Sequence, residues 1–189
     1  MFPLPRVFLF PHQVLPLHVF EPRYRRMVES LLDSAGRMVI GTIPTGAPPE
    51  LPHAPPPVLP VAGFGEIARH QRLPDGRFHI WVLGLCRVQI EEVASEQPFR
   101  LVQCRPFPEV AAPDDDGPQL ADDVRHAMTA LLKEPLPLPP NAPLALLVDL
   151  LLQALRVPAE VVAAVFAEPA VAARARTVLR LARKSPPAA

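Results

Sequence analysis

The chain has 189 residues, with 19 Lys and Arg against 19 Asp and Glu, so its formal net charge is zero. That length holds one domain or two small ones sharing a core, and neutrality lacks the basic excess of a nucleic-acid-coating protein. Hydrophobic residues make up 49% of the chain and 28 residues are Pro, so it has the means to fold, but not as a long uninterrupted helix or coiled coil.

In chain order, Val7–Phe10 is a short apolar run between prolines and reads as a buried strand. Pro11-His12-Gln13 reads as a turn. In Val14–Phe20, Leu15, Leu17 and Val19 alternate with Pro16 and His18. The prolines in these strands predict edge positions or bulges, because Pro cannot donate to a ladder. A helix is expected over about 22–34. Pro22 suits its first turn, Tyr24, Met27, Val28, Leu31 and Leu32 form one apolar stripe, and Gly36 is a stop. Met38–Ile43 is the next expected strand. Residues 44–62 carry eight prolines and read as a solvated loop with polyproline character.

Gly65–Gln71 reads as a short strand, Leu73-Pro74-Asp75-Gly76 as a turn, and Arg77–Val93 as a long strand. In it Phe78, Ile80 and Val82 share a parity that Val88 and Ile90 continue, and Gly84 marks a bulge or bend. Phe99–Phe107 is expected to pair back through a turn centred near residue 95, which would set Cys86 opposite Cys104. Residues 109–123 hold six acids and no base and read as a linker entering a helix whose first turn favours acids. Leu120, Val124, Met128, Leu131 and Leu132 then form a stripe. A Pro-rich break spans Glu134–Pro143. Leu144–Leu155 is apolar nearly all round and is expected to be the central helix. Pro158 and Pro169 open two more helices. The last points Val171, Ala175, Val178 and Leu179 inward and leaves Arg174, Arg176, Arg180, Arg183 and Lys184 largely outside. Ser185–Ala189 reads as frayed. The expected organisation is a β-rich part over 1–108, an acidic linker over 109–117 and a helical part over 118–184.

Catalytic motifs fail one after another. Gly36–Thr42 has Thr where a Walker A lysine is required, and its middle is an apolar strand. No Ser lies in a GxSxG elbow. The six His (12, 18, 53, 70, 79, 126) are scattered without HxxxH or HExxH spacing, and Asp114–Asp116 lacks the spacing of a calcium loop. Cys86 and Cys104 lack CxxC spacing and read as free, apolar strand residues of a reducing compartment. The run Ala142–Leu155 is too short and too polar to span a bilayer. Pro3, Pro5, Pro11 and Pro16 oppose a signal-peptide helix. No enzyme activity, cofactor, metal or membrane association is expected, and the location expected is the cytoplasm. Arg23, Arg25 and Arg26 on the first helix and the cations of the last helix read as ordinary solvated faces.

Phe2-Pro3-Leu4-Pro5, Phe8-Leu9-Phe10-Pro11 and Leu15-Pro16-Leu17-His18-Val19-Phe20-Glu21-Pro22-Arg23-Tyr24 together resemble the start of the Lon protease N-terminal domain, also called the Lon substrate-binding domain. Gly65-Glu66-Ile67-Ala68-Arg69 is similar to its short strand after a variable loop. Leu73–Arg77 with Gly84–Ile90 is similar to its central hairpin strand. The resemblance implies an α+β fold: a β-rich pseudo-barrel, similar to the PUA-like fold, followed by a helical bundle. It implies the stand-alone form of the domain, without the ATPase and Ser-Lys peptidase that follow it in Lon. His12 departs from the family pattern, which has Gly after Phe-Pro, and the Pro-Ala loop 44–62 is a second departure.

In the Phe-Glu-Pro-Arg-Tyr corner, Phe20 is expected to anchor a strand end, and Glu21 to pair with Arg23. The other reading makes this corner the edge of a binding groove. The function implied is a non-catalytic module that binds exposed apolar segments of unfolded or partner polypeptides. Phe20, Glu21, Arg23, Phe64 and Trp81 are candidate contacts, although Phe64 and Trp81 also read as core. The alternative is an RNA- or nucleotide-binding module by PUA-like analogy, and an unrecognised hydrolase is a third reading. Neither the partner nor the oligomeric state follows from the sequence.

Overall fold

The computed structural model of the chain describes residues 1–48, 55–132 and 136–184. The expectations for 49–54 of the Pro-rich loop, for 133–135 of the Pro-rich break and for 185–189 lie outside the described residues. The chain divides into two units, Met1–Phe107 and Pro108–Ala189. Among the described residues, the first holds a mixed six-stranded sheet with one helix, and the second holds four helices.

The strands of the first unit are β1 (Phe2–Pro5), β2 (Val14–Val19), β3 (Arg37–Ile43), β4 (Val61–Arg72), β5 (Phe78–Val93) and β6 (Leu101–Pro106), with helix α1 (Pro22–Leu32) between β2 and β3. The order is β1-β3-β4-β5-β2, with β6 also on β5. The β1–β3 pair is parallel and the others are antiparallel. Pro3, Pro5 and Pro16 thus sit in the two strands that end the path, where a missing N–H is tolerated. In α1, Pro22 opens the first turn, and Tyr24, Met27 and Val28 are buried. Gly36 ends the region at φ +67°, its N–H donating to the Leu31 carbonyl at 3.0 Å. The β4–β5 turn is closed by Gly76 at φ +79°.

Val7–Phe10 is not a strand. Leu9 is nonetheless fully buried, with Phe8 and Phe10 beside it. A Cβ on Gly63 would overlap the Leu9 carbonyl, and one on Gly84 would overlap the Phe10 carbonyl. The segment therefore crosses β4 and β5 where those strands have no side chains, and does not lie along either as a ladder. Its backbone is satisfied otherwise: Thr42 Oγ1 donates to the Val7 carbonyl at 2.5 Å, and Phe10 N–H donates to Gln13 Oε1 at 3.0 Å. The turn that follows keeps a left-handed residue, His12 at φ +65°, in place of the glycine of the family pattern.

β4 is longer than the expected Gly65–Gln71, because the strand resumes directly after Pro60. Its pairing with β5 shifts between Phe64 and Gly65, which face Cys86 and Gly84 and leave Leu85 as the extra residue. This bulge lies where Gly84 marks one in the sequence, and it splits the shared parity of β5 between two faces. Phe78, Ile80 and Val82 join a cluster with Leu9, Tyr24, Val28 and Ile40. Val88 joins a second cluster with Met1, Val39 and Ala62, and Ile90 packs against it. The count stays even, but the inserted residue moves the side chains to the opposite face. The β5–β6 register is also displaced from expectation. Cys104 faces Ile90, not Cys86, so the hairpin is centred two residues later than the turn signal placed it.

The second unit contains α2 (Gly117–Leu131), α3 (Leu144–Ala154), α4 (Ala159–Phe166) and α5 (Val171–Ala182). Leu147 and Leu151 are fully buried in the core of α3, as its all-round apolar pattern requires. Val171, Ala175 and Val178 point inward from α5. Arg174, expected outside, is fully buried. It lies three residues after Val171 and four before Val178, on the same stripe. Its guanidinium pairs with Asp149 of α3 at 3.2 Å and with Glu109. Residues 109–117 are accordingly not a free linker. Val110 bridges to Ala170, and Asp116 pairs with Arg176 at 2.5 Å. The first turn of α2 contains no acid. Two of the acids expected to favour that turn serve cations of α5.

Candidate functional site

β2 alternates inward and outward residues, and its outward set is Val14, Pro16 and His18. In register these face Leu83, Trp81 and His79 of β5. Across β5, Trp81 and His79 face Arg69 and Gln71 of β4. Gly84 N–H donates to the Gln13 carbonyl. By the antiparallel alternation, the 14/83, 16/81 and 18/79 pairs are then the closely spaced, non-hydrogen-bonded ones. Their side chains stand side by side on one outer face. The His18 and His79 rings lie 5.0 Å apart, edge to face, and Phe20 continues the row with its ring 5.9 Å from His18. The Arg69 guanidinium covers the Trp81 ring at 5.1 Å.

This face carries exposed apolar side chains. Phe20 is 59% exposed and Val14 50%, while Trp81 and Leu83 are half-buried. Scattered surface apolar residues need no explanation, whereas these stand in one row along β2 beside Trp81 and Leu83 of β5. The expected anchoring of the strand end by Phe20 does not occur. Val19, fully inward, does that work, and Phe20 turns outward by the period of two.

Glu21 and Arg23 pair as expected, at 3.0 Å through Nε, and both are half-buried. The Arg23 guanidinium also lies 4.6 Å from the centre of the buried Tyr24 ring. The pair borders the patch just beyond Phe20 and fixes the start of α1, where no side chain caps the helix. Phe64 is outside the patch. It faces Val39 and Cys86 and packs against the second cluster. Of the five candidate contacts, then, Phe20 and Trp81 lie on one face, Glu21 and Arg23 adjoin it, and Phe64 belongs to packing. Arg25, taken from the sequence as a solvated cation, packs its guanidinium against Gly76 in the β4–β5 turn. Val14, His18 and His79 are further members of this face. The signal for them was the parity they share with Pro16 and Phe20 in β2, combined with a register that only the paired structure supplies.

Burial pushes the Cys86 thiol up, with Cys104 a smaller contribution in the same direction. A raised thiol pKa is the opposite of nucleophile activation. The hydrogen bond from Arg77 at 2.6 Å holds the Asp75 carboxyl below its ordinary range at the exposed β4–β5 turn. Among the described residues no three His, Cys, Asp or Glu side chains are grouped to hold a metal ion. Among them, too, no helix is long and apolar enough to cross a membrane.

The family model described as the ATP-dependent protease La (LON) substrate-binding domain matches residues 1–184. Lon protease 2 of Sorangium cellulosum is 28% identical over 141 residues, covering 75% of this chain and 17% of that protein. Lon protease 1 of Herpetosiphon aurantiacus is 24% identical over 136 residues, covering 69% of this chain and 15% of that protein. The chain thus spans less than a fifth of the length of these relatives. Among solved structures, the N-terminal domain of the Mycobacterium avium complex Lon protease aligns with a TM-score of 0.66 at 15% identity, covering 96% of this chain and 95% of that one. The Lon N-terminal domain protein from Xanthomonas campestris aligns with a TM-score of 0.63 at 16% identity, covering 94% and 95%. At such identities these two likenesses establish the α+β fold and nothing finer.

Proposed function

The chain belongs to the Lon substrate-binding domain family, and from that membership we propose that its sheet unit captures exposed apolar segments of unfolded or partner proteins without catalysis. The observation that carries the proposal is the outward row Val14, Pro16, His18 and Phe20 beside Leu83 and Trp81. Covering a side chain the size of Phe20 is worth about 1.5–3 kcal/mol, so two or three such contacts supply useful affinity for a segment of otherwise arbitrary sequence. Capture works through side chains on the face more than through strand addition. β2 is paired on one side only, but Pro16 falls where the outward backbone donor of its middle would stand. The proposal places the chain in the cytoplasm, where Cys86 and Cys104, free in the structure, remain thiols.

The test uses a dye-labelled polypeptide kept unfolded by reduction and alkylation, with binding followed by fluorescence anisotropy. Phe20→Ala is expected to weaken capture about tenfold with little change in the denaturant midpoint, since Phe20 supports no core contact. Binding to the polypeptide is expected to vary little with salt. An affinity for single-stranded RNA that exceeds the polypeptide affinity and falls steeply with salt would instead support a nucleic-acid module.

A further inference from the structure

α2 and α5 leave a groove along their outer side, within the helical unit. A hollow of about 610 Å³ has Ala127, Ala130 and Leu131 on its α2 wall and Leu179 and Ala182 on its α5 wall. A second hollow of the same volume continues along α5 past Ala173 and Thr177, and the two share Asp123, Leu179 and Arg183. We propose that this groove receives an amphipathic helix of another protein, apolar on one face and acidic along its flank.

Shape argues for a helix. Asp123, Ala127, Ala130 and Leu131 are spaced as one stripe of α2, and Leu179, Ala182 and Arg183 as one stripe of α5. Two such stripes form parallel ridges with a furrow between them. The alanines leave the furrow shallow enough for a third helix to approach to about 8–10 Å between axes. Charge selects the flank. Arg176, Arg180 and Arg183 line the groove against a single carboxylate, Asp123. Arg176 is engaged by Asp116. Arg180 and Arg183 form no ion pair among the described residues, and Arg180 donates only to the Thr177 hydroxyl. Two guanidinium groups beside an apolar floor match Glu or Asp flanking an apolar stripe. A nucleic-acid backbone fits less well: the floor offers it Ala and Leu, and Asp123 repels phosphate from the middle of the groove.

The test uses the full chain and a labelled 18-residue peptide with Leu at heptad positions a and d and Glu at e and g, alongside a counterpart with Lys replacing Glu. The acidic peptide is expected to bind, and the Lys counterpart at least tenfold more weakly. The double variant R180E/R183E, at exposed positions, is expected to cut binding of the acidic peptide at least tenfold with an unchanged thermal midpoint. Ala130→Trp, which fills the furrow, is expected to do the same. Phe20→Ala is expected to leave this binding untouched, which separates it from capture by the sheet. No binding, equal binding of the two peptides, unchanged binding by R180E/R183E, or displacement of the peptide by single-stranded RNA would each overturn the proposal.

Discussion

In the sheet unit, the cluster around Leu9, Ile40, Phe78, Ile80 and Val82 is wholly apolar, whereas the largest fully buried side chain of the helical unit is a guanidinium, Arg174. The sheet satisfies its backbone by ladders and admits a crossing segment at Gly63 and Gly84, and its own buried guanidinium, Arg87 of β5, lies beside the Phe10 ring at 5.9 Å and outside that cluster. The helices of the second unit are short, and none has a side-chain cap. There Arg174 ties α5 to α3 through Asp149 and to the start of the unit through Glu109. A buried pair of this kind is costly to break and weak evidence of net stabilisation. Such a pair fixes which helix faces meet, a demand that strand register meets in the sheet.

That contrast is sharpest at Arg174. Arg174→Ala removes the buried guanidinium that Asp149 and Glu109 share and is expected to cost about 3–5 kcal/mol, read as a fall in the helical unit's denaturant midpoint. Replacing both partners together, as R174L/D149L, is expected to recover most of that loss. A double variant as unstable as the single one would show that the pair stabilises the unit outright.

The sheet unit has its own buried charge carrier at its margin. The Met1 amine donates to the Arg100 carbonyl at 2.7 Å. Its pKa is lowered from 8.0 to about 6, by burial first and then by the Arg100 charge. Between those values the unfolded chain holds a proton that the folded chain does not. This group therefore makes stability rise with pH from about 6 to 8, by about 2–3 kcal/mol at most. Urea melts across that range would check it. A midpoint that falls as pH rises contradicts the assignment.

Two smaller effects distinguish local strain from local pairing in the sheet unit. His12→Gly relieves a left-handed residue and is expected to stabilise by about 1 kcal/mol, the steric cost less the added chain entropy. Glu21→Ala is expected to cost only about 0.2–1 kcal/mol, because the Arg23 pair is half-exposed. A loss near 3 kcal/mol in a denaturant melt would mean that the corner is far better buried than it is here.

What the sequence made legible follows from the range of each signal. The α1 stripe, the Gly76 turn, the edge prolines and the burial of Leu147 and Leu151 depend on residues close in the chain, and these readings hold in the structure. The face of Val88, the partner of Cys104 and the course of Val7–Phe10 depend on register, which one inserted residue at Leu85 or a two-residue shift of a hairpin resets. The burial of Arg174 is legible only from its spacing with Val171 and Val178 and from Asp149 inside an otherwise apolar helix, whereas its charge alone points outward. Phe20 and Trp81 were singled out separately. Their common face comes from pairing Pro16 with Trp81, which no local pattern specifies.

The outer face of β2 and β5 is the surface proposed to capture unfolded chain. Anisotropy of the labelled, alkylated polypeptide with the parent chain, Phe20→Ala and Glu21→Ala, each paired with a denaturant melt, tests it most directly. Phe20→Ala is expected to capture about tenfold more weakly at an unchanged midpoint, and Glu21→Ala to capture as the parent does. Unchanged capture by Phe20→Ala would contradict this proposal, and loss confined to Glu21→Ala would move the site to the helix corner.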